Sequence, residues 1–240
     1  YKRQVLDGVT TNPSLMAKEN IRGEEACRRH YLEICSIVDG DVSAEVIATD
    51  FDGMVREGEA LAALHKNIVV KLPCTADGIR AVKYFAGKNI RTNCTLVFSV
   101  GQALLAAKAG ATYVSPFVGR LDDICENGVA LVAEIVRMYR YYGYDTQVLA
   151  ASIRHTQHIV QCVELIETDK IYIRNLSIVI FLCSGILSRF AIFCLSTLHL
   201  CFVKLLEDIN NIVCTVKLKS ICLIIPSESV SYTHLTLPTT

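Results

Sequence analysis

Residues 67–75, NIVVKLPCT, place the three branched aliphatic residues Ile68, Val69 and Val70 directly before a lysine, Lys71. An unbroken run of this kind indicates a strand that is buried on both faces, as in a parallel sheet. An ammonium group within such a strand is costly unless other groups compensate for its burial. Lys71 therefore points to a functional site at the end of a buried strand.

The first two thirds of the chain repeat this pattern of a short strand followed by a helix. Residues 77–89 and 99–110 carry apolar residues at helical spacing and end near Gly87 and Gly110. The strand candidates are residues 7–12, 42–48, 67–73, 91–98, 111–118 and 146–153. Units of roughly 20 to 30 residues favour an α/β fold of the (β/α)8 TIM barrel type. The alternative is an open doubly wound sheet, but no GxGxxG motif follows an early strand.

The composition excludes several classes of partner. The 240 residues include 24 basic and 24 acidic side chains, giving a formal net charge of +0, so nothing indicates binding to nucleic acid or to an anionic membrane surface. The 11 cysteines form no CxxC pair, and no apolar signal segment opens the chain, which disfavours a disulfide framework and a structural zinc site. We expect a cytoplasmic protein that acts on a small molecule.

From about residue 165 the sequence changes character. Residues 170–206 lack the strand and helix alternation, and five of the 11 cysteines lie in this hydrophobic tail. One interpretation is one or two membrane helices, but Arg189 interrupts the apolar run before either half reaches the ~20 residues that a span needs. Another interpretation is that the tail is not native protein sequence.

The two chain ends support this last interpretation through the genetic code. The final residues, VSYTHLTLPTT, and the first four, YKRQ, can be encoded by the two orientations of one DNA element, which resembles a transposon-end adapter used in sequencing libraries. We therefore predict a native, partial barrel at about residues 5–164 and a tail of doubtful authenticity at residues 165–240.

Polar side chains gather near the ends of the predicted strands, and in a barrel the carboxyl ends of the strands converge on one site. Besides Lys71, they are Thr10, Asn12, Glu45, Asn93, Thr95, Ser115, Arg120, Ser152 and Arg154. Desolvation and nearby positive charge both favour the neutral form of a buried lysine, which is the nucleophile that attacks a ketone carbonyl. Arginines and serine can hold a phosphate, and the amides can bind sugar hydroxyls. The set predicts Schiff-base chemistry on a phosphorylated ketose.

The segments GVTTNPS, VVKLP, TNCTLVFS, YVSPFVGR and LAASIR resemble the signature segments of the transaldolase family, small-subunit type. The resemblance covers about residues 5–164. It implies that Lys71 forms an imine with the donor ketose and that Glu45 and Thr95 hold the water that moves protons during this step. It assigns Asn12, Asn93 and Ser115 to the dihydroxyacetone portion and Arg120, Ser152 and Arg154 to the phosphate. Thr10 and Phe117 are expected as further substrate-binding residues.

The implied activity is transfer of a dihydroxyacetone unit from sedoheptulose 7-phosphate or fructose 6-phosphate to an aldose phosphate, within the pentose phosphate pathway. The implied enzyme is a homo-oligomer that takes phosphosugars and uses no metal or organic cofactor. Fructose-6-phosphate aldolase is the near alternative. It carries a tyrosine where this chain has Phe117 and a glutamine where this chain has Glu45, so both positions favour the transaldolase.

Two departures from the family pattern suggest an incomplete barrel, with the first and last strands missing or replaced. The family's first strand carries an aspartate, in a segment like FIDTA, that acts as acid and base at the carbon–carbon bond. Here the sequence begins after that segment, and Asp7 belongs to the next strand. The family's last strand is expected soon after residue 164, where the tail begins. An inactive truncated fragment is therefore a further alternative.

Two other groups of residues are given structural interpretations. His155 and His158 could be drawn as a metal pair, but their spacing predicts the start of a helix after the sixth strand. Cys74 and Cys94 lie near strand ends and are interpreted as packing residues rather than nucleophiles.

Overall fold

The structure is a computed structural model that describes residues 8–167, 176–181 and 221–224. All described elements belong to one compact unit. The strands are β1 (Gly8–Thr10), β2 (Asp41–Glu45), β3 (Ile68–Pro73), β4 (Thr92–Val97), β5 (Tyr113–Pro116), β6 (Gln147–Ala150), β7 (Leu176–Phe181) and β8 (Ile221–Ile224). The helices are α1 (Pro13–Lys18), α2 (Glu24–Ile37), α3 (Phe51–Ala62), α4 (Ala76–Gly87), α5 (Val100–Ala109), α6 (Val118–Asp122), α7 (Gly128–Tyr142) and α8 (Thr156–Glu167).

The strands form a closed barrel in the order β1 to β8, and every neighbouring pair is parallel. Helices follow each of β1 to β6, so the (β/α) barrel predicted from the sequence is confirmed. Each of the six predicted strands is present, with ends up to three residues shorter than expected. A parallel barrel brings the carboxyl ends of its strands to one face, where loops can build a site.

Residues of the hydrophobic tail form the last two strands of the barrel, β7 and β8. Strand β7 pairs with β6, and β8 joins β7 to β1 through the partners Gly8 and Cys222. These strands stand where the sequence led us to expect missing or replaced ones. The origin of the tail and the domain boundary near residue 164 stay predictions, and Asp7, Arg189 and both chain ends lie outside the described residues.

The helices begin and end at residues with recognisable capping roles. The Thr75 side chain accepts a hydrogen bond from the Gly78 amide at 3.0 Å and starts α4, directly after the strand that carries Lys71. Ser99 caps α5 in the same way, and Gly110 ends it with a φ of 95°, in the left-handed region that suits glycine. The two helices predicted from the spacing of apolar residues are thus confirmed.

The main hydrophobic core lies between the barrel and its helices. Met54, Phe85, Ile135 and Tyr139 are fully buried there against outward-facing strand residues such as Val70. Burying side chains of this size contributes about 1.5–3 kcal/mol each relative to exposure, so this layer dominates the stability of the fold.

Inside the barrel, the amino-terminal end of the strands is closed by a polar cluster. The Tyr113 hydroxyl donates to Asp41 Oδ2 at 2.8 Å, and Arg91 forms an ion pair with the same carboxylate. Arg91 also donates to the carbonyl of Lys66 at 2.6 Å. The charges of Asp41 and Arg91, which are half-buried, are therefore paired with each other. In the part of the chain that the structure describes, no helix has both the length and the apolar character that crossing a membrane requires.

Candidate active site

Lys71 lies in the middle of the barrel with a side chain that is 8% exposed. Its Nζ is 2.9 Å from Glu45 Oε2 on the neighbouring strand and donates to the carbonyl of Thr11 at 3.1 Å. Glu45 and Lys71 are register partners of β2 and β3, so the backbone pairing itself places the carboxylate beside the amine. The compensation that burial of Lys71 demands is therefore present: one negative charge and one carbonyl oxygen.

Asn93 extends this row onto the next strand, where it is the register partner of Lys71. Its side chain is fully buried, and its amide nitrogen donates to the Ser43 hydroxyl at 3.1 Å. Its amide oxygen accepts from the Ser115 hydroxyl at 2.8 Å. Because both ends of the amide are held, Asn93 and Ser115 have fixed orientations beside the lysine.

Two threonines supply hydroxyls that are not engaged by the described residues. Thr10 and Thr95 are buried, and neither Oγ1 atom makes a hydrogen bond within the part of the chain that the structure describes. Buried polar atoms in native proteins nearly always have a partner. Both hydroxyls are therefore suited to bind a substrate hydroxyl or a water molecule.

The backbone of β4 is irregular next to Thr95. The register with β5 shifts between Cys94 and Val97, and Leu96 adopts a φ of 59°. A branched residue rarely adopts this left-handed conformation, and bulges of this kind are common where a strand directs a side chain into an active site. The strain at Leu96 thus accompanies the inward placement of Thr95.

Asn12 has a structural task in addition to its expected one. Its side-chain oxygen accepts from the Leu15 amide at 2.8 Å and caps α1. The amide nitrogen is then the group of Asn12 that can reach a substrate. The capping bond fixes the side chain near the end of β1, close in sequence to Thr10 and Thr11.

The three residues expected at the phosphate lie on two segments that touch. Arg120 is exposed on α6, and its neighbour Gly119 donates its amide to the carbonyl of Ser152 at 2.9 Å. Ser152 has a φ of 58°, another strained backbone position for a residue with a side chain. Arg154 Nη2 lies 2.5 Å from Asp123 Oδ2, in an ion pair at the edge of this region.

Phe117 directly precedes α6, between β5 and the helix that carries Arg120. Its backbone forms an isolated parallel β-bridge with Ala151, the residue after β6. Its ring packs edge to face on Phe98, with the ring centroids 5.6 Å apart. The phenyl ring offers no hydroxyl to a substrate, in contrast to a tyrosine at this position.

Several neighbours of the lysine escaped the sequence analysis. Ser43 holds Asn93, and the Thr11 carbonyl holds Lys71 while its hydroxyl donates to the carbonyl of Ser43 at 2.8 Å. Tyr31, buried on α2, lies near Thr11, and burial is the main reason why the pKa of Tyr31 is raised. The alternation of Ser43 and Glu45 on one strand was the available signal, since residues two apart share a face.

The remaining sequence interpretations also have clear outcomes. His155 directly precedes α8 and His158 lies in its first turn, as their spacing predicted. Cys94 is fully buried in the core, and Cys74 packs against that core, which confirms their packing role.

Comparison with known proteins identifies the family of this chain. The family model described as "Transaldolase/Fructose-6-phosphate aldolase" matches residues 1–173. The chain belongs to the transaldolase/fructose-6-phosphate aldolase family. Among its relatives, a protein of Bacteroides fragilis (strain YCH46) described as a probable transaldolase is 79% identical over 160 residues, which is 67% of this chain and 73% of that protein.

Two further members of the family are similar over the same part of the chain. A probable transaldolase of Porphyromonas gingivalis (strain ATCC 33277) is 75% identical over 160 residues, covering 67% of this chain and 73% of the relative. A probable transaldolase of Cytophaga hutchinsonii is 66% identical over 161 residues, covering 67% and 74%. The family and these relatives support an enzyme of the transaldolase or aldolase type.

Proposed function

We propose that this chain is a transaldolase that moves a dihydroxyacetone unit between phosphosugars through an imine at Lys71. The donors are sedoheptulose 7-phosphate and fructose 6-phosphate, and the acceptors are glyceraldehyde 3-phosphate and erythrose 4-phosphate. The observation that carries the proposal is the buried Lys71 Nζ, 2.9 Å from Glu45 Oε2. An amine held beside a carboxylate in a barrel interior has the arrangement that Schiff-base chemistry requires.

The carboxylate of Glu45 can accept a proton from the ammonium of Lys71, which leaves the neutral amine needed for attack on the C2 carbonyl of the ketose. The nitrogen then bonds to C2, and the oxygen of the resulting carbinolamine leaves as water after protonation. Thr95, whose buried hydroxyl has no partner among the described residues, is assigned to the water that carries these protons together with Glu45. The imine is cationic when protonated, and Glu45 can stabilise it as a carboxylate.

Substrate orientation follows from the fixed amides and hydroxyls around the lysine. Asn93 and Ser115 are held by one another and by Ser43, so they can bind the dihydroxyacetone hydroxyls without reorganisation. Thr10 and the Asn12 amide nitrogen complete this half of the site. The phosphate is assigned to Arg120, Ser152 and Arg154. The guanidinium groups of the two arginines can bind it through charge-assisted hydrogen bonds, and the serine hydroxyl can donate a further one. The phosphate must compete with Asp123 for Arg154.

Cleavage of the C3–C4 bond needs a base that removes the proton of the C4 hydroxyl and releases the aldose phosphate. The electrons of the broken bond move into the imine, which becomes an enamine and later attacks the acceptor aldehyde. By the resemblance described above, the base is an aspartate on a strand that precedes residue 5 in the family. Imine formation is therefore proposed for the described residues, and the carbon–carbon step for that aspartate.

Two residues favour transfer over release of free dihydroxyacetone. Phe117 presents a ring without a hydroxyl, and Glu45 presents a carboxylate where the aldolase has a neutral amide. The proposal includes no metal and no organic cofactor, since the lysine provides the electron sink. We further propose a homo-oligomer that works in the cytoplasm, as an enzyme of phosphosugar metabolism.

The direct test is to incubate the full chain with fructose 6-phosphate and sodium borohydride and to map the adduct by peptide mass spectrometry. We expect a reduced adduct on Lys71, and none in Lys71→Arg, which keeps the charge but cannot form the imine. Lys83→Arg, at a position outside the site, is the matched control and keeps the adduct. Failure of the parent chain to form an adduct would refute the proposal. If the adduct forms, accumulation of free dihydroxyacetone without an acceptor would favour the aldolase instead.

A further inference from the structure

A buried histidine connects the two segments that carry the phosphate residues. His158, on the first turn of α8, is 3% exposed. Its Nε2 lies 2.7 Å from Asp122 Oδ2 at the end of α6, and its Nδ1 accepts from the backbone amide of Arg154 at 3.3 Å. From the sequence, His158 is predicted only to lie at the start of a helix.

These two contacts define the protonation of the ring. A backbone amide is always a donor, so Nδ1 must be the acceptor and the hydrogen of a neutral imidazole must lie on Nε2. Nε2 therefore donates to Asp122. The other carboxylate oxygen of Asp122 accepts from the Gly128 amide at 3.1 Å, which fixes Asp122 at the start of α7.

His158 thus links the α6 segment and the loop before α8 through its side chain, in addition to a backbone contact between the same two segments. The α6 segment carries Arg120, and the loop before α8 carries Ser152 and Arg154. Gly119 and Ser152 already join the two segments through their backbones. Since Ser152 has a strained φ of 58°, this loop needs further contacts to keep its conformation. His158 provides one at the amide of Arg154.

We propose that His158 is a positioning residue that sets the spacing of Arg120 and Arg154 and thereby the preference for phosphorylated over unphosphorylated sugars. The inference rests on the proposed function for the assignment of these arginines to the phosphate. His158 does not touch the substrate; it acts through Asp122 on one side and through the Arg154 backbone on the other. A bidentate anion site depends on the spacing of its donors, so a small shift of either segment weakens phosphate binding.

The effect is specific because the rest of the site is held by other contacts. Lys71 and Asn93 are fixed by the register of β2, β3 and β4 and by Ser43, none of which involves α8. Loss of the His158 link therefore changes recognition of the phosphate and leaves attack by the lysine in place. A histidine that only filled the core would change overall stability and have the same effect on all substrates.

The experiment compares His158→Phe, which keeps an aromatic ring but removes both hydrogen bonds, with His158→Gln, which can accept from Arg154 and donate to Asp122. His155→Gln is the matched control, since His155 is exposed and its ring lies beside that of His158, tilted by 45° with the centroids 3.8 Å apart. All variants are made in the full chain. The readouts are KM and kcat with glyceraldehyde 3-phosphate and with glyceraldehyde as acceptors, and the binding of inorganic phosphate followed by phosphorus NMR.

We expect His158→Phe to raise KM for glyceraldehyde 3-phosphate about tenfold, the effect of losing one or two buried hydrogen bonds. Its kcat and its kinetics with glyceraldehyde stay within about twofold, and phosphate binding weakens in parallel. His158→Gln recovers most of the loss, and His155→Gln behaves as the parent chain. Equal losses with both acceptors, or unchanged phosphate binding in His158→Phe, would overturn the inference.

The proposed function and this inference fail in different ways. Absence of the borohydride adduct at Lys71 refutes the imine, whatever the His158 variants do. The phosphate titration needs no turnover, so it tests His158 even in a chain that does not complete the reaction. If His158→Phe does not fold, as judged by circular dichroism, Asp122→Asn carries the test, with His158→Gln as its control. Asp122→Asn is expected to weaken phosphate binding while His158→Gln binds nearly as the parent chain does, and an unchanged titration in Asp122→Asn would overturn the inference.

Discussion

Glu45 and Lys71 are partners in the register of two adjacent parallel strands, and their charged atoms are 2.9 Å apart inside the barrel. The backbone pairing of β2 and β3 therefore places the two residues next to each other, whatever conformations their flexible side chains adopt. The carbonyl of Thr11 holds the same ammonium at 3.1 Å from a third strand end. This arrangement gives the lysine one well-defined place from which to attack.

Replacing the carboxylate should slow formation of the imine. Glu45→Gln keeps the size of the side chain but cannot accept the proton of Lys71, so we expect borohydride trapping with fructose 6-phosphate to slow by about 100-fold, within the range of lost general base catalysis. The measurement is the rate of adduct formation at saturating ketose. Glu59→Gln, which alters an exposed carboxylate paired with Lys88, is the control and should leave the rate unchanged. Equal rates in the parent and in Glu45→Gln would show that another group takes the proton.

The sequence was sufficient to predict the barrel and to single out the buried polar residues Lys71 and Asn93. A parallel strand buried on both faces has few reasons to carry a charge, so Lys71 and Glu45 stood out from Val69, Val70 and their neighbours. The same reasoning identified Asn93 and Ser115. Their hydrogen bond to each other follows from the placement of β4 beside β5, which the order of strands in a barrel already implies.

Other parts of the site depend on information that no local pattern contains. The carbonyl that holds Lys71 belongs to Thr11, and a backbone group has no signature in the sequence. The left-handed conformation of Leu96 contradicts the preference of leucine and arises from the bulge in β4. The pairing of Arg154 with Asp123 joins residues 31 apart across a loop whose path could not be derived beforehand. These features come from tertiary packing.

Gly119 should be essential for the phosphate half of the site. A Cβ atom at this position would lie 2.4 Å from the carbonyl oxygen of Ser152 and 2.4 Å from Arg154 Cγ. Gly119→Ala must therefore move the loop that carries both residues, and we expect KM for phosphorylated acceptors to rise about tenfold or more, as displacement of binding groups by a fraction of an ångström does.

The control for this substitution is Gly101→Ala on α5, where the nearest atom to an added Cβ is 4.0 Å away. It should leave KM unchanged. Steady-state kinetics with glyceraldehyde 3-phosphate and glyceraldehyde make the comparison, and a Gly119→Ala enzyme with the parent KM for both would contradict the geometry.

The polar cluster at the other end of the barrel should affect stability alone. Tyr113→Phe removes the hydroxyl that donates to Asp41, and we expect the free energy of unfolding to fall by about 1 kcal/mol, the usual net value of one such bond. KM and kcat should stay at the parent values, because Asp41 and Arg91 lie at the end of the strands opposite the site. Urea denaturation and steady-state kinetics test the two parts separately, and a change in KM would show that the cluster positions the site after all.

The stability of the folded chain should depend on the protonation of His158. Burial is the largest reason why the pKa of His158 lies below its ordinary value of 6.5; His155 and Arg154 lower it further, and Asp122 on α6 offsets part of the shift. The folded state then binds fewer protons at this residue than the unfolded state does. The contribution of His158 to stability is fully present above pH 6.5 and is lost as the pH falls towards the lowered pKa.

We expect the urea midpoint to fall between pH 7.5 and pH 5.5, by more in the parent chain than in His158→Gln, which has no titrating group at this position. His155→Gln should keep a pH-dependent midpoint. An identical decrease in the parent chain and in His158→Gln would assign the pH dependence to other residues.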